Sequence, residues 1–351
     1  MIIRSGKVRL ARLAASTLAV CLLWQGTLAR AEEPGFDFAV LGHSFKAGPD
    51  DAPLKHAIQD SNNLHPAFLV ATGIKAASES CSDKLYSQRK DLLDASSQPL
   101  VISLSASDWA NCRNSRGRAN AIERLNRLRE VFFADDSSLG QRKLSLSRLS
   151  STAKFRSYAE NAHWEYGGVL FATVNLPANN NHFLPEAGRN SEFEDRLVAN
   201  RSWLQRLFAM AQRKKLDGIV LFSDGDVHIL EEEESSLLPN FSSKQDGFAS
   251  PRKQIRLLAK KFEGKVLLVD TQAGIKKAGK KSSQGPKISW KDNLGHISID
   301  SDWATIAVQP GKSPLFEVRE RAGKLAPNQS ASSQRTSRRL ARPSRAEGRG
   351  G

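Results

Sequence analysis

Histidine and aspartate side chains, which can hold a metal ion or move a proton, recur close after apolar runs of this chain. They are His43, Asp108, Asp226, His228, Asp270 and His296. The catalytic candidates among them are His43, Asp108, Asp226 and Asp270. A one-metal site, with an open position for water, would draw on His43, Asp226, His228 and Asp270. Each residue also has a plainer interpretation, because turn aspartates usually cap backbone N–H groups and isolated histidines are usually surface residues.

A run of amides, Asn179-Asn180-Asn181-His182, is a candidate ligand-binding loop. Its side chains could bind a polar ligand, but asparagine also tolerates left-handed backbone, so a purely structural turn stays open. The sequence Asp224-Gly225-Asp226 begins like a calcium loop, yet no glutamate follows at the spacing an EF-hand needs.

These residues need a framework to hold them, and the apolar pattern predicts an α/β fold. Unbroken apolar runs are typical of strands buried on both faces. The predicted strands are Phe38–Leu41, Phe68–Thr72, Leu100–Leu104, Val169–Val174, Ile219–Phe222 and Val266–Val269. Amphipathic spacing predicts helices over Ala121–Phe133 and Arg201–Lys214, and a third that begins at Ser250-Pro251.

Seven sequence segments stand in a distinctive order between Phe36 and Arg319. They are FDFAVLG; GIK with CSDKLY; SDWANC; RLNRLREVFF with SLGQRKLSLSR; ENAHWEYGGVLFATVNLPANNNH; NRSWLQRLFAMA with IVLFSDGD; and VLLVDTQ. In this order they resemble bacterial members of the calcineurin-like metallophosphoesterase superfamily. The resemblance implies a sandwich of two central mixed β-sheets flanked by helices.

The resemblance also implies a two-metal centre most of whose ligands are replaced here. His43 stands in place of the first aspartate, and Ile74 follows Gly73 where the bridging aspartate belongs. Ser107 replaces an asparagine and Gln272 replaces a late histidine, whereas Asp226 is kept. Without the bridging carboxylate, two divalent cations lack the negative charge that offsets their repulsion.

We therefore expect a non-catalytic pseudo-phosphoesterase that binds a ligand or partner and holds no metal cofactor. The alternative is a metal-dependent phosphoester hydrolase with a rebuilt one-metal site for a divalent cation, in which His296 could also take part.

The two ends of the chain differ from its body. A basic start, an apolar stretch and Ala29-Arg30-Ala31 predict a signal peptide over residues 1–31, with an uncleaved anchor as the alternative. Residues 32–320 are expected to form the phosphoesterase-like domain, and residues 321–351 a disordered basic tail. The expected location is outside the cytoplasm, periplasmic or secreted.

The basic charge lies mostly at those ends. The chain has 52 Lys and Arg against 37 Asp and Glu, but the body from Glu32 to Glu320 has 39 against 36. This balance gives no reason to expect nucleic-acid binding. The partners left open are an anionic ligand in the pocket and an anionic surface that the tail could contact.

Two cysteines, Cys81 and Cys112, would remain after the signal peptide is removed. An even pair in an exported chain predicts a disulfide, with two buried free thiols as the alternative.

Overall fold

The computed structural model describes residues 34–46, 48–185, 190–231, 245–272, 286–299 and 301–321. The strands within these ranges are β1 Phe36–Leu41, β2 Leu69–Thr72, β3 Leu100–Ser103, β4 Ser147–Arg148, β5 Ala162–Tyr166, β6 Val169–Thr173, β7 Gly218–Phe222, β8 Lys265–Asp270, β9 Ser289–Lys291, β10 Leu294–Ser298, β11 Trp303–Val308 and β12 Phe316–Arg321. The α-helices are α1 Ala52–Asn63, α2 Asp83–Asp94, α3 Ala106–Trp109, α4 Ala121–Phe132, α5 Ser191–Lys214 and α6 Ala249–Ala259.

The strands form two mixed sheets. The first has the order β12-β11-β1-β2-β3, and the second has the order β4-β5-β6-β7-β8-β10-β9. Strands β1, β2 and β3 run parallel, as do β6, β7, β8 and β10. Antiparallel pairing adds β11 and β12 to the first sheet, and β4, β5 and β9 to the second. Apolar side chains from both sheets, such as Phe38, Phe68, Phe171 and Phe222, meet in one buried cluster between them.

Helices cover the outer faces of both sheets. One apolar cluster joins the first sheet to α1, α2 and α4, through residues such as Leu54, Tyr86 and Leu128. Another joins the second sheet to α5 and α6, through Trp203 and Ile255. The expected α/β class is confirmed in this form: a mixed α/β protein with two mixed sheets flanked by helices.

The predicted strands are all present, with ends that shift by at most two residues. The helix predicted from Arg201 instead begins at Ser191, ten residues earlier. In the first half of this helix, Arg196 is buried on the inner face and forms an ion pair with Glu192. This charged residue interrupts the apolar spacing from which an amphipathic helix is predicted. Strand β11 was not predicted, and it forms through antiparallel pairing with β1, far away in sequence.

Cys81 and Cys112 are joined in a disulfide with a Cα–Cα distance of 5.8 Å, which is the pairing expected from sequence. The bond ties the segment before α2 to the segment after α3. Closing a loop of this size stabilises the fold by about 3 kcal/mol in the loop-entropy model.

Several expectations concern segments outside the described residues. The predicted signal peptide lies there, as does all of the predicted basic tail after Arg321. The domain boundaries and the exported location therefore stay predictions. Among the described helices, none combines the length and apolar character needed to cross a bilayer.

Candidate functional site

Two carboxylates and one imidazole meet at the carboxyl ends of the parallel strands in the second sheet. Asp226, Asp270 and His296 offer ligand atoms that all lie within 4.8 Å of one another, and no other such group occurs in the part of the chain that the structure describes. The His296 Nε2 atom is 2.6 Å from Asp270 Oδ2 and 3.8 Å from Asp226 Oδ1. We call this group the carboxylate–histidine trio.

Strand pairing explains how the trio assembles. Asp270 is the last residue of β8, and β10 runs parallel beside it with Ser298 opposite Asp270. His296 lies two residues earlier on β10, on the same face of the sheet, because side chains alternate along a strand. Asp226 comes from the loop after β7, the neighbour of β8 on its other side.

Asp270 is buried, with 2% of its side chain exposed, and is fully engaged. Its Oδ1 accepts hydrogen bonds from the Gln272 backbone N–H at 2.8 Å and from the Ser298 hydroxyl, while Oδ2 faces His296. Burial by itself lowers the pKa of His296, but the hydrogen bond and charge of Asp270, together with the charge of Asp226, raise this pKa above its ordinary value. The two carboxylates therefore favour a positive charge at the position that a cation would occupy.

The trio fits the donor set of a single divalent cation. Two carboxylates offset the charge of a dication, and imidazole is a common ligand for zinc. Three protein ligands leave a position for water or substrate. Because a cation must displace the proton that His296 shares with Asp270, affinity should increase with pH.

His228 is not a member of the trio but contacts Asp226. Its Nδ1 atom is 3.2 Å from Asp226 Oδ2 and 2.9 Å from Glu231 Oε1, and its backbone N–H donates to Asp226 Oδ1 at 2.7 Å. The structure thus places His228 against a trio residue, where it orients the Asp226 carboxylate, while His296 supplies the imidazole that faces Asp270.

His43 lies in a different group, at the carboxyl ends of the first sheet. Its Nε2 atom is 3.1 Å from Ser105 Oγ and 3.0 Å from Ser107 Oγ, and the two hydroxyl oxygens are 2.7 Å apart. We call these three residues the His43 cluster. Burial, followed by the charge of Lys46, lowers the pKa of His43 to about 4. The imidazole is therefore neutral at pH 7.

Asp108 is a buried helix cap. Its Oδ1 accepts from the Ile74 backbone N–H at 2.9 Å, and its Oδ2 accepts from the Ser105 N–H at 2.8 Å, in the capping box of α3. Burial raises its pKa to about 6. Both carboxylate oxygens are occupied by backbone donors, which matches the plainer interpretation of a turn aspartate.

Asp224 connects the two groups, and the sequence did not single it out as a site residue. Its Oδ2 accepts from the backbone N–H groups of Ala106 and Ala178, at 2.7 and 2.8 Å, and its Oδ1 accepts from Gln272 Nε2 at 3.1 Å. Loops from both sheets thus contact one buried carboxylate. Burial raises the pKa of Asp224 to about 7. Its position two residues after β7, in the turn Ser223 to Asp226, is the signal that could have revealed it.

The asparagine loop makes mostly structural contacts. Asn180, Asn181 and His182 have φ values of 55°, 54° and 52°, the left-handed backbone that asparagine tolerates. The Asn181 amide donates to the Gly247 carbonyl at 2.9 Å, and the Gly247 N–H donates to Asn180 Oδ1 at 2.9 Å. Two of the amides are thereby engaged, and ligand binding by Asn179 to His182 stays a prediction.

Comparisons with known proteins give no family for this chain. No family model and no curated protein matches it. A solved structure that it resembles is a point mutant of the amidase from Nesterenkonia sp. AN1, showing covalent addition of the acetamide moiety of fluoroacetamide at the active-site cysteine. That match has 10% identity and a TM-score of 0.29, and covers 80% of this chain and 84% of the amidase chain.

The expected membership in the calcineurin-like metallophosphoesterase superfamily is therefore wrong, since no family model matches and the solved structure named above is an amidase. The short segments that suggested the superfamily are strand-and-turn patterns, and their order along the chain is not specific to that superfamily. At a TM-score of 0.29 the likeness to the amidase supports no statement about the fold or the activity of this chain. Moreover, Cys81 and Cys112 are bonded to each other, so neither offers a free thiol.

Proposed function

We propose that this chain binds one divalent cation through the carboxylate–histidine trio and uses it to activate water for hydrolysis. The observation that carries the proposal is the meeting of Asp226, Asp270 and His296 within 4.8 Å at the strand ends. A cation bound there lowers the pKa of a coordinated water, which makes hydroxide available near neutral pH.

Phosphoesters are the substrate class to test first. The charge of Lys46 helps to lower the pKa of His43 and acts against the raised pKa of Asp224, a residue two positions before Asp226. An ammonium group on this side of the molecule would attract an anionic substrate.

The test begins with protein stripped of metal by a chelator. Zinc or manganese is then titrated in by calorimetry, and hydrolysis of bis(p-nitrophenyl) phosphate is followed. We expect one cation per chain, and a loss of at least about tenfold in affinity for Asp226→Asn, Asp270→Asn and His296→Ala.

Matched controls come from α1, where His56 and Asp60 are exposed to solvent. The variants His56→Ala and Asp60→Asn should bind the cation like the unaltered protein. A stoichiometry of zero at millimolar metal, or binding that the three trio variants leave unchanged, would refute the cation site.

A second candidate is ligand binding without turnover. It is favoured by the complete engagement of Asp270 by His296, Ser298 and Gln272, which keeps the site formed without a cation. Binding of inorganic phosphate by metal-free protein, with no hydrolysis at any metal concentration, would support this candidate over the first.

A further inference from the structure

The His43 cluster has the arrangement of a nucleophile beside a general base, and it includes no residue of the carboxylate–histidine trio. We propose that Ser107 is a nucleophile, that His43 is its base, and that the pair acts on a carboxylic ester. The two reacting atoms, Ser107 Oγ and His43 Nε2, are 3.0 Å apart. The Ser107 hydroxyl also reaches the Lys75 carbonyl at 3.0 Å, so rotation of the hydroxyl toward Nε2 precedes proton transfer.

Ser107 is the better placed of the two serines. Ser105 is buried, with 1% of its surface exposed, whereas Ser107 is partly exposed to solvent in the first turn of α3. A substrate carbonyl can therefore reach the Ser107 hydroxyl. The Ser105 hydroxyl, 2.7 Å from Ser107 Oγ, fixes the position of the nucleophile from its buried side.

The backbone around the pair is held in place. Lys75 Nζ donates to the Ser107 carbonyl at 2.8 Å and to the Ala76 carbonyl at 2.7 Å. Gly73 has a φ of 71°, and a Cβ atom at this position would lie 2.5 Å from His43 Nε2. Only glycine lets the chain pass this close to the imidazole, and preorganisation of this kind is what a reacting pair requires.

The protonation state suits a base. The low pKa of His43, about 4, leaves the imidazole neutral at pH 7, and in the tautomer with its proton on Nδ1 the Nε2 atom accepts from a serine hydroxyl. Within the described part of the chain, His43 Nδ1 is buried without a hydrogen-bond partner, so no carboxylate strengthens the base. We therefore expect acyl transfer to be slow compared with a pair that has such a carboxylate.

The reaction balances as an ester hydrolysis. The Ser107 Oγ–H proton passes to His43 Nε2 while Oγ bonds to the carbonyl carbon. The imidazolium then returns the proton to the departing alkoxide, which leaves as an alcohol. Water attacks the acyl-serine with His43 again accepting a proton, which passes to Ser107 Oγ as the acyl–oxygen bond breaks and the carboxylic acid leaves.

The experiment uses the full chain, a fluorophosphonate probe at pH 7.5 and mass spectrometry of the peptides, in the presence of a chelator. Attack by Ser107 forms a phosphorus–oxygen bond and releases fluoride. We expect one adduct, on Ser107, with none on Ser107→Ala and a rate at least about a hundredfold lower for His43→Ala.

Two further variants sharpen the test. Gly73→Ala should slow labelling, because the added methyl displaces the imidazole, and circular dichroism shows whether each variant stays folded. Ser44→Ala is the matched control and should label at the full rate, since the Ser44 hydroxyl donates to the Gly42 carbonyl at 3.4 Å and, among the described residues, bonds to neither His43 nor Ser107.

Absence of an adduct on folded protein, an adduct on another serine, or labelling that His43→Ala leaves unchanged would each overturn the proposal. Because the chelator removes divalent cations, none of these results depends on whether the trio binds a metal. Release of p-nitrophenol from p-nitrophenyl acetate, lost in Ser107→Ala, would extend a positive labelling result to turnover.

Discussion

The pKa values of two histidines near strand ends, His296 and His43, are shifted in opposite directions by their surroundings. His296 faces the carboxylates of Asp270 and Asp226, and its pKa is raised. His43 faces two hydroxyls and is influenced by Lys46 and Lys75, and its pKa falls to about 4. Burial lowers both pKa values; at His296 the two carboxylates outweigh it, whereas at His43 it is the largest cause and the lysines add to it. One imidazole is set up to exchange a proton for a cation, and the other to accept a proton.

The largest expected effect comes from removing the residue that joins the two groups. Asp224→Ala would leave the backbone N–H groups of Ala106 and Ala178 without their acceptor, while Gln272 Nε2 would keep only the backbone carbonyl of residue 224. At about 1–3 kcal/mol for each of the two N–H groups, we expect a loss of about 4 kcal/mol in the free energy of unfolding. Urea denaturation measures this loss, with Asp60→Asn as the surface control. A loss below about 1 kcal/mol would show that the two groups are held independently.

The pH dependence of Asp224→Asn tests the same carboxylate. The folded pKa of Asp224, about 7, lies above its unfolded value, so its contribution is fully present below about pH 4 and is lost as pH rises through 7. The stability gap between the unaltered protein and Asp224→Asn should therefore narrow from pH 4 to pH 7. A gap that widens over this range would mean that Asp224 is ionised in the folded protein.

An intermediate effect is expected at His296. Since its folded pKa is raised, its contribution is fully present below about pH 6.5 and declines as the pH rises above it. His296→Ala should cost about 3 kcal/mol at pH 6, because the buried Asp270 loses its partner, and less at pH 8. With zinc at a hundredfold excess over its Kd, the unaltered protein should gain about 2.7 kcal/mol, and His296→Ala should gain far less.

The smallest effect concerns His43 itself. Lys46→Ala removes the second cause of the lowered pKa, so the pKa of His43 should rise from about 4 by a fraction of a unit, because burial remains. The histidine Cε1–H resonances, followed by NMR from pH 3 to 8, measure this change. His56→Ala identifies the signal of an exposed histidine for reference. A His43 pKa near 6.5 in the unaltered protein would remove the contrast between the two histidines.

The sequence predicted the strand framework well and the site only in part. Runs such as Ile219–Phe222 are buried on both faces, so composition alone marks them. Asp270 follows such a run directly, whereas Asp226 lies four residues after one and was predicted through the family resemblance. His296 was harder, since it lies inside β10, and its partner Asp270 is reached only through the pairing of β10 with β8.

Other features could not be obtained from sequence patterns. The grouping of His43 with Ser105 and Ser107 depends on β1, β2 and β3 lying side by side, which brings together residues more than 60 positions apart. Asp224 resembles any turn aspartate until the donors from two sheets are in place. The family resemblance failed for a related reason, because short motifs report local structure and say little about the chemistry that long-range contacts assemble.

The disulfide affects how firmly Ser107, which follows β3, is held in place. Cys112 lies just beyond α3, and its Sγ packs 3.6 Å from the Asp108 carbonyl oxygen. That carbonyl accepts a hydrogen bond from the Tyr86 hydroxyl at 2.9 Å. The covalent link therefore anchors the short helix that presents Ser107. In a reducing compartment the thiols would separate and that anchor would be lost, so the chemistry at Ser107 is coupled to the redox state of the surroundings.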